Sequence, residues 1–235
     1  MKRATITLVI VLAVLSTNTM AVMTVNINRQ TGYYGYHGGG EFTLTPASGS
    51  DPIPGNPGPW QAFCVERNEY VMPPLVAHLT IDPWAVQGGI GGQDLTVPEG
   101  TADSLNPKTA YLYQRFIDGS LALSGYEYTP GDGRRDSANS LQLAIWFFED
   151  ELKQADGSLG WYQSDSQAQD WVAEAISEAG NSIGNIRIAN LYTIKSDNSK
   201  KYHQSQLVRV PAPGAILLGG IGVGLIGWFH RRRLL

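Results

Sequence analysis

Cys64 is the only cysteine in a chain of 235 residues. It has no intramolecular disulfide partner. It is either a small buried hydrophobe or a thiol with a chemical role. Other chemistry is thinly represented. The four histidines, His37, His78, His203 and His230, show no metal-ligand spacing, and Asp132-Gly133 with Asp136 falls short of a calcium loop. There is no Gly-x-Ser-x-Gly elbow and no phosphate loop. No hydrolytic pair stands out among 21 acidic residues. No metal, cofactor or enzymatic activity is therefore expected. Tyr33, Tyr34 and Tyr36 lie in a Gly/Tyr loop over residues 31–40, where they could stack on sugars or simply form the loop.

A second element joins the cysteine. Phe63-Cys64-Val65 is followed downstream by Leu141-Gln142-Leu143-Ala144-Ile145-Trp146. Together these stretches resemble the thioester domains of bacterial surface adhesins, with Leu141 standing where many members of that family have Thr. The resemblance implies that Cys64 is the thiol partner and Gln142 the acyl partner of an internal thioester formed with loss of ammonia, and that Trp146 is an aromatic wall beside it. Such a bond can acylate an amine or hydroxyl on a neighbouring surface. A carboxamide is a poor electrophile, so the sulfur must be held against it and reacts as thiolate. Gln142 is expected in the first turn or two of its helix, where free N–H groups would stabilise developing negative charge. Glu66 is expected on the same strand face as Cys64. The alternative is a Cys–Gln packing pair with no bond, in a protein that binds carbohydrate or matrix non-covalently.

Periodicity supplies the elements that must position these residues. Alternation from Val22 reads as a strand, residues 41–45 as a second with Phe42 and Leu44 on one face, residues 60–66 as a third and residues 75–81 as a fourth. In the third, Gln61, Phe63 and Val65 would point one way and Ala62, Cys64 and Glu66 the other. Residues 46–59 are a Pro/Gly/Ser connection, and residues 88–92 a flexible loop. Asn106-Pro107 is a helix start, followed by Leu112, Tyr113, Phe116 and Ile117 on one face. A second helix from Asp136 or Ser137 carries Ala138, Leu141, Ile145, Phe148 and Leu152 at core-facing spacing, with Gln142 on the flank shared by Ala138 and Trp146. Glu149-Asp150-Glu151 reads as its solvated end. A third helix from Asp165 or Ser166 turns Ala168, Trp171, Val172, Ala175, Ile176 and Ala179 inward. Residues 186–195 and 202–210 read as closing strands. The expected fold is α+β: a mainly antiparallel β-sandwich or barrel with a helical insertion over about residues 105–180, within a single extracytoplasmic domain at 22–209.

The two ends give addresses. Lys2-Arg3, an apolar stretch at residues 6–15 and Met20-Ala21 form a secretory signal peptide over residues 1–21, with cleavage expected after Ala21. At the other end Val210-Pro211-Ala212-Pro213-Gly214 precedes an uncharged apolar run at residues 215–229, then His230-Arg231-Arg232-Arg233. With Pro211 included, the run is about long enough to span a bilayer, and the arginines mark its inner face. This tail, residues 210–235, resembles the PEP-CTERM sorting signal, with Ala212 where the usual motif has Glu. The resemblance implies an exosortase-type membrane peptidase as partner, transient anchoring in the inner membrane, and delivery to the cell surface or extracellular matrix. Surface amines or extracellular polysaccharide are the expected targets. Net charge is −4, and Lys2, Arg3 and Arg231 to Arg233 take much of the positive charge outside the domain, which argues against nucleic acid.

Overall fold

The computed structural model describes residues 23–35, 39–50, 58–86, 89–153 and 159–211. The expected signal peptide, Tyr36, His37 and the expected sorting tail from Ala212 through Arg231, Arg232 and Arg233 lie outside the described residues. Among the described residues no helix is long and apolar enough to cross a membrane.

The fold is α+β with antiparallel pairing throughout. Strands β1 (Met23–Asn28), β2 (Phe42–Pro46), β3 (Trp60–Ala62) and β4 (Leu75–Asp82) are followed by a small sheet of β5 (Trp84–Ala85), β6 (Gln93–Val97) and β7 (Gly100–Ser104). Three helices come next, α1 (Pro107–Ile117), α2 (Asp132–Phe148) and α3 (Ser166–Glu178), and the chain returns through β8 (Ile186–Ile194), β9 (Lys200–Tyr202) and β10 (Gln206–Arg209). The large sheet runs β10-β8-β4-β1-β2-β3, with β9 on β8. Its two edges meet: Leu207 N donates to Phe63 O (2.9 Å), Val65 N donates to Ser205 O (3.0 Å), and Cys64 bridges Gln206. The sheet thus curls until the segment after β3 touches β10, and Cys64 sits on that seam.

The helices begin where their caps dictate. Asn106 accepts from Lys108 N with Pro107 at the first position, and Asp165 accepts from Ala168 N. The three helices pack on the sheet through a continuous core that includes Leu112, Tyr113, Leu141, Ile145 and Trp171.

Several expectations need correction. The third strand ends at Ala62 rather than Glu66. Phe63, Cys64, Val65 and Glu66 are all buried: the closing edge pairs along this segment, while Phe116 of α1 packs on Phe63 and Gln142 of α2 reaches Cys64. Glu149 and Glu151 are buried, and only Asp150 is exposed. Ile176 is 58% exposed, so the inward face of α3 is narrower than the apolar stripe suggested. Finally, no strand is expected over β5 to β7, where only residues 88–92, between β5 and β6, read as a flexible loop. β6 and β7 are polar and largely exposed, so they carry no apolar alternation, and residues 89–92 are tied to Glu151 rather than free.

Candidate functional site

Helix α2 starts at Asp132, a turn earlier than its apolar pattern implied, so Gln142 lies in its third turn. The free N–H groups of the helix start are out of reach. Two other backbone N–H groups take their place. Gln142 Oε1 accepts from Gly40 N at 2.9 Å and from Cys64 N at 3.0 Å, while Gln142 Nε2 donates to Cys64 O at 2.8 Å. The carboxamide therefore lies against the backbone of the one cysteine, with its carbonyl oxygen between two donors. Both Cys64 and Gln142 are buried. Three buried hydrogen bonds at roughly 0.5–1.5 kcal/mol each make this a fixed contact.

The donor loop is pressed tightly onto the side chain. A Cβ on Gly39 would lie 2.2 Å from Gln142 Cγ and 2.8 Å from its Cδ, and one on Gly40 would lie 2.1 Å from the Phe63 ring. Only glycine allows this approach. The next residue anchors the loop. Glu41 is fully buried and is held by Arg134 from α2 through a two-pronged pair, Nε to Oε2 at 2.7 Å and Nη2 to Oε1 at 2.6 Å, with Tyr126 OH donating to Oε2 at 3.1 Å. Arg134, Ala138, Gln142 and Trp146 follow one another at four-residue steps and are all buried. One helix face thus grips the loop at Glu41 and presents the carboxamide to the N–H of the residue before it.

The thiol is set for a neutral resting state. Burial pushes the Cys64 thiol up to about 12, against the pull of the Gln206 amide and the Gly40 N–H. Gln206 Nε2 donates to Cys64 Sγ at 3.4 Å. Glu66 is buried, with Oε2 accepting from Ser205 N at 3.1 Å and Oε1 unpartnered. Burial raises its carboxyl well above the usual range, and it in turn pushes the thiol up. Trp146 stands one turn beyond Gln142, and its indole N–H is buried without an acceptor.

The expected residues Cys64, Gln142 and Trp146 thus converge. Gly39, Gly40, Glu41, Arg134 and Gln206 were not anticipated. The run Gly38-Gly39-Gly40 just before a strand was the available signal, since consecutive glycines mark close backbone approach. The tyrosine loop is already engaged: the Arg134 guanidinium lies 3.6 Å from the Tyr33 ring centre, and that of Arg29 lies 4.3 Å from the Tyr34 ring centre. Val210 and Pro211, where the expected sorting motif starts, follow β10 directly, and Val210 N donates to Asn185 O at 2.9 Å. No family model, curated protein or solved structure matches the chain.

Proposed function

We propose that this is an exported protein of the cell surface or extracellular matrix whose domain closes an internal thioester between Cys64 Sγ and Gln142 Cδ and uses it to attach covalently to a neighbouring amine or hydroxyl. The observation that carries the proposal is the pair of N–H donors, from Gly40 and Cys64, on the carbonyl oxygen of the Gln142 carboxamide. Attack of sulfur on Cδ moves negative charge onto Oε1, where those donors already point. The C–N bond then breaks. Nε2 leaves as ammonia, carrying the proton that the thiol has given up, and the S–C bond remains. In the second step an acceptor N–H or O–H adds to Cδ, the S–C bond breaks, and sulfur recovers a proton. The acceptor ends as an amide or ester of residue 142, so the protein is consumed rather than turned over.

The ends give the destination. Residues 1–21 act as a signal peptide. Residues 210–235, with Val210, Pro211, Ala212, Pro213, Gly214 and the cluster Arg231, Arg232 and Arg233, act as a PEP-CTERM-like signal read by an exosortase-type peptidase. With β10 ending at Arg209, the domain would be held close to the inner membrane until the tail is processed.

Methylamine tests the reactivity. Incubation should add one methylamine to residue 142 and release one titratable thiol, and Cys64→Ala should show neither. An unmodified protein with a thiol already titratable after denaturation supports the rival, a non-covalent matrix protein with an inert cysteine. The raised thiol is the observation on that rival's side.

A further inference from the structure

Beside the seam, on the side where Trp146 stands, lies a cavity of about 240 Å³ whose lining includes Arg29, Arg67, Tyr70, Trp146, Trp161 and Gln204. Three of its features call for an occupant. Neither guanidinium forms an ion pair among the described residues. Arg29 lies over the Tyr34 ring, and Arg67 lies 5.5 Å from the Trp161 ring centre. Glu151, on whose carboxyl Arg67 acts, spends its oxygens on the backbone N–H groups of Arg67, Ile90 and Gly91. The buried indole N–H of Trp146 lacks an acceptor. Trp161 and Tyr70 are 50% and 76% exposed, which leaves aromatic surface at the rim.

The cavity also adjoins the reacting atoms. Trp146 is one helical turn from Gln142, and Gln204 O accepts from the same Gln206 amide that reaches Cys64 Sγ, at 3.3 Å and 3.4 Å respectively.

We propose that this cavity docks a hexuronate residue of an acidic polysaccharide. The sugar carboxylate lies between Arg29 and Arg67, the apolar face of the ring lies on Trp161, and a ring or hydroxyl oxygen accepts from Trp146 Nε1. Guanidinium groups are the fitting partners for a carboxylate. The volume falls below the roughly 300–1,000 Å³ of sites for larger ligands and suits one monosaccharide unit. A carboxylate-bearing peptide would satisfy the arginines but leave the indole face without a flat partner. Overall charge is −4, so a polyanion gains nothing from the protein's general field and must be held by local contacts. The proposal rests on the thioester reading in one respect: it names the acceptor as an acidic glycan whose hydroxyls are brought to Cδ. Docking itself does not require the bond.

The test uses the full-length Cys64→Ala protein in detergent, which cannot form the thioester, titrated calorimetrically with trigalacturonate, neutral galactotriose and triglutamate. Trigalacturonate should bind, and Arg67→Gln and Trp161→Ala, each added to Cys64→Ala, should weaken it by about tenfold or more. Galactotriose and triglutamate should bind at least about tenfold more weakly than trigalacturonate. Circular dichroism checks that both variants keep the fold. Absence of trigalacturonate binding, equal binding of galactotriose, or triglutamate binding as well as the sugar would each overturn the proposal. If wild type fails to lose ammonia while Cys64→Ala still binds the sugar, the thioester is lost and the docking site stands. The converse result removes only the docking site.

Discussion

Two buried side chains in this protein hold loops by the same device, and only one of them lies against the cysteine. Gln142 collects the N–H groups of Gly40 and Cys64, and Gly39 is pressed against its side chain. Glu151 collects those of Ile90, Gly91 and Arg67, and a Cβ on Gly89 would lie 1.9 Å from its Oε1. The two clamps grip the same stretch three residues apart, at Cys64 and at Arg67. The carboxylate at Glu151 has no leaving group, and its hydrogen bonds go to backbone N–H groups. It staples the loop over residues 89–91 to the core. The carboxamide at Gln142 has an amine to lose and lies on the backbone of a cysteine. The contrast teaches that backbone donors around a buried oxygen are a general way to hold a loop. They serve as an oxyanion site only where a nucleophile and a leaving group share the contact.

The largest expected effect comes from cutting the first clamp at its anchor. Arg134→Met leaves the Glu41 carboxylate, whose pKa burial raises and Arg134 draws down, without its cation. A loss of about 3–5 kcal/mol in chemical denaturation is expected, as for a buried ion pair stripped of one partner. A loss below about 1 kcal/mol, the range of exposed pairs, would show that Arg134 does not anchor the loop. Next come the paired substitutions Gly39→Ala and Gly89→Ala. Each should cost roughly 1–3 kcal/mol from overpacking. Gly39→Ala alone should abolish ammonia loss, because it displaces the carboxamide. If Gly89→Ala abolished it equally, the two clamps would not be separable.

A third expected effect is a pH dependence on the acidic side. Burial pushes Glu149 up to about 8, against the pull of Thr109 and of the Asn106 N–H, and burial pushes Glu69 and Asp103 up to about 7. The folded state therefore holds protons that the unfolded chain has released. The stability from these groups is present below about pH 4, the ordinary carboxyl range, and is lost as pH rises through 7 and 8. The urea midpoint should fall between pH 5 and pH 8, and Glu149→Gln should flatten that fall. A midpoint that rises over the same interval would mean these acids are ionised in the fold.

Much of this was legible in the sequence where one period dominates. Helices α1 and α3 announced themselves by Asn106-Pro107 and Asp165, and β1, β2, β4 and β8 by alternation. Cys64 and Gln142 were legible as a pair through a resemblance, although their donors were not. The Gly40 N–H comes from a loop brought in by long-range pairing, and no local pattern encodes that. The strand through Cys64 was overextended because its alternation is real, yet its partner after Ala62 is the far edge of the sheet. Glu149 and Glu151 looked solvated because acids at a helix end usually are. Their burial depends on N–H groups supplied by Asn106, Arg67, Ile90 and Gly91, which lie some forty to eighty-five positions away in the chain.

The central claim is a covalent bond between Cys64 and Gln142, and the intact mass of the purified protein tests it most directly. Wild type should weigh one ammonia less than the sequence of its processed chain, and Cys64→Ala should weigh what its own processed sequence predicts. A wild-type mass equal to that of the processed sequence with no ammonia lost, and one thiol titratable on unfolding, would contradict the claim and leave the Gln142 clamp a structural one like that of Glu151.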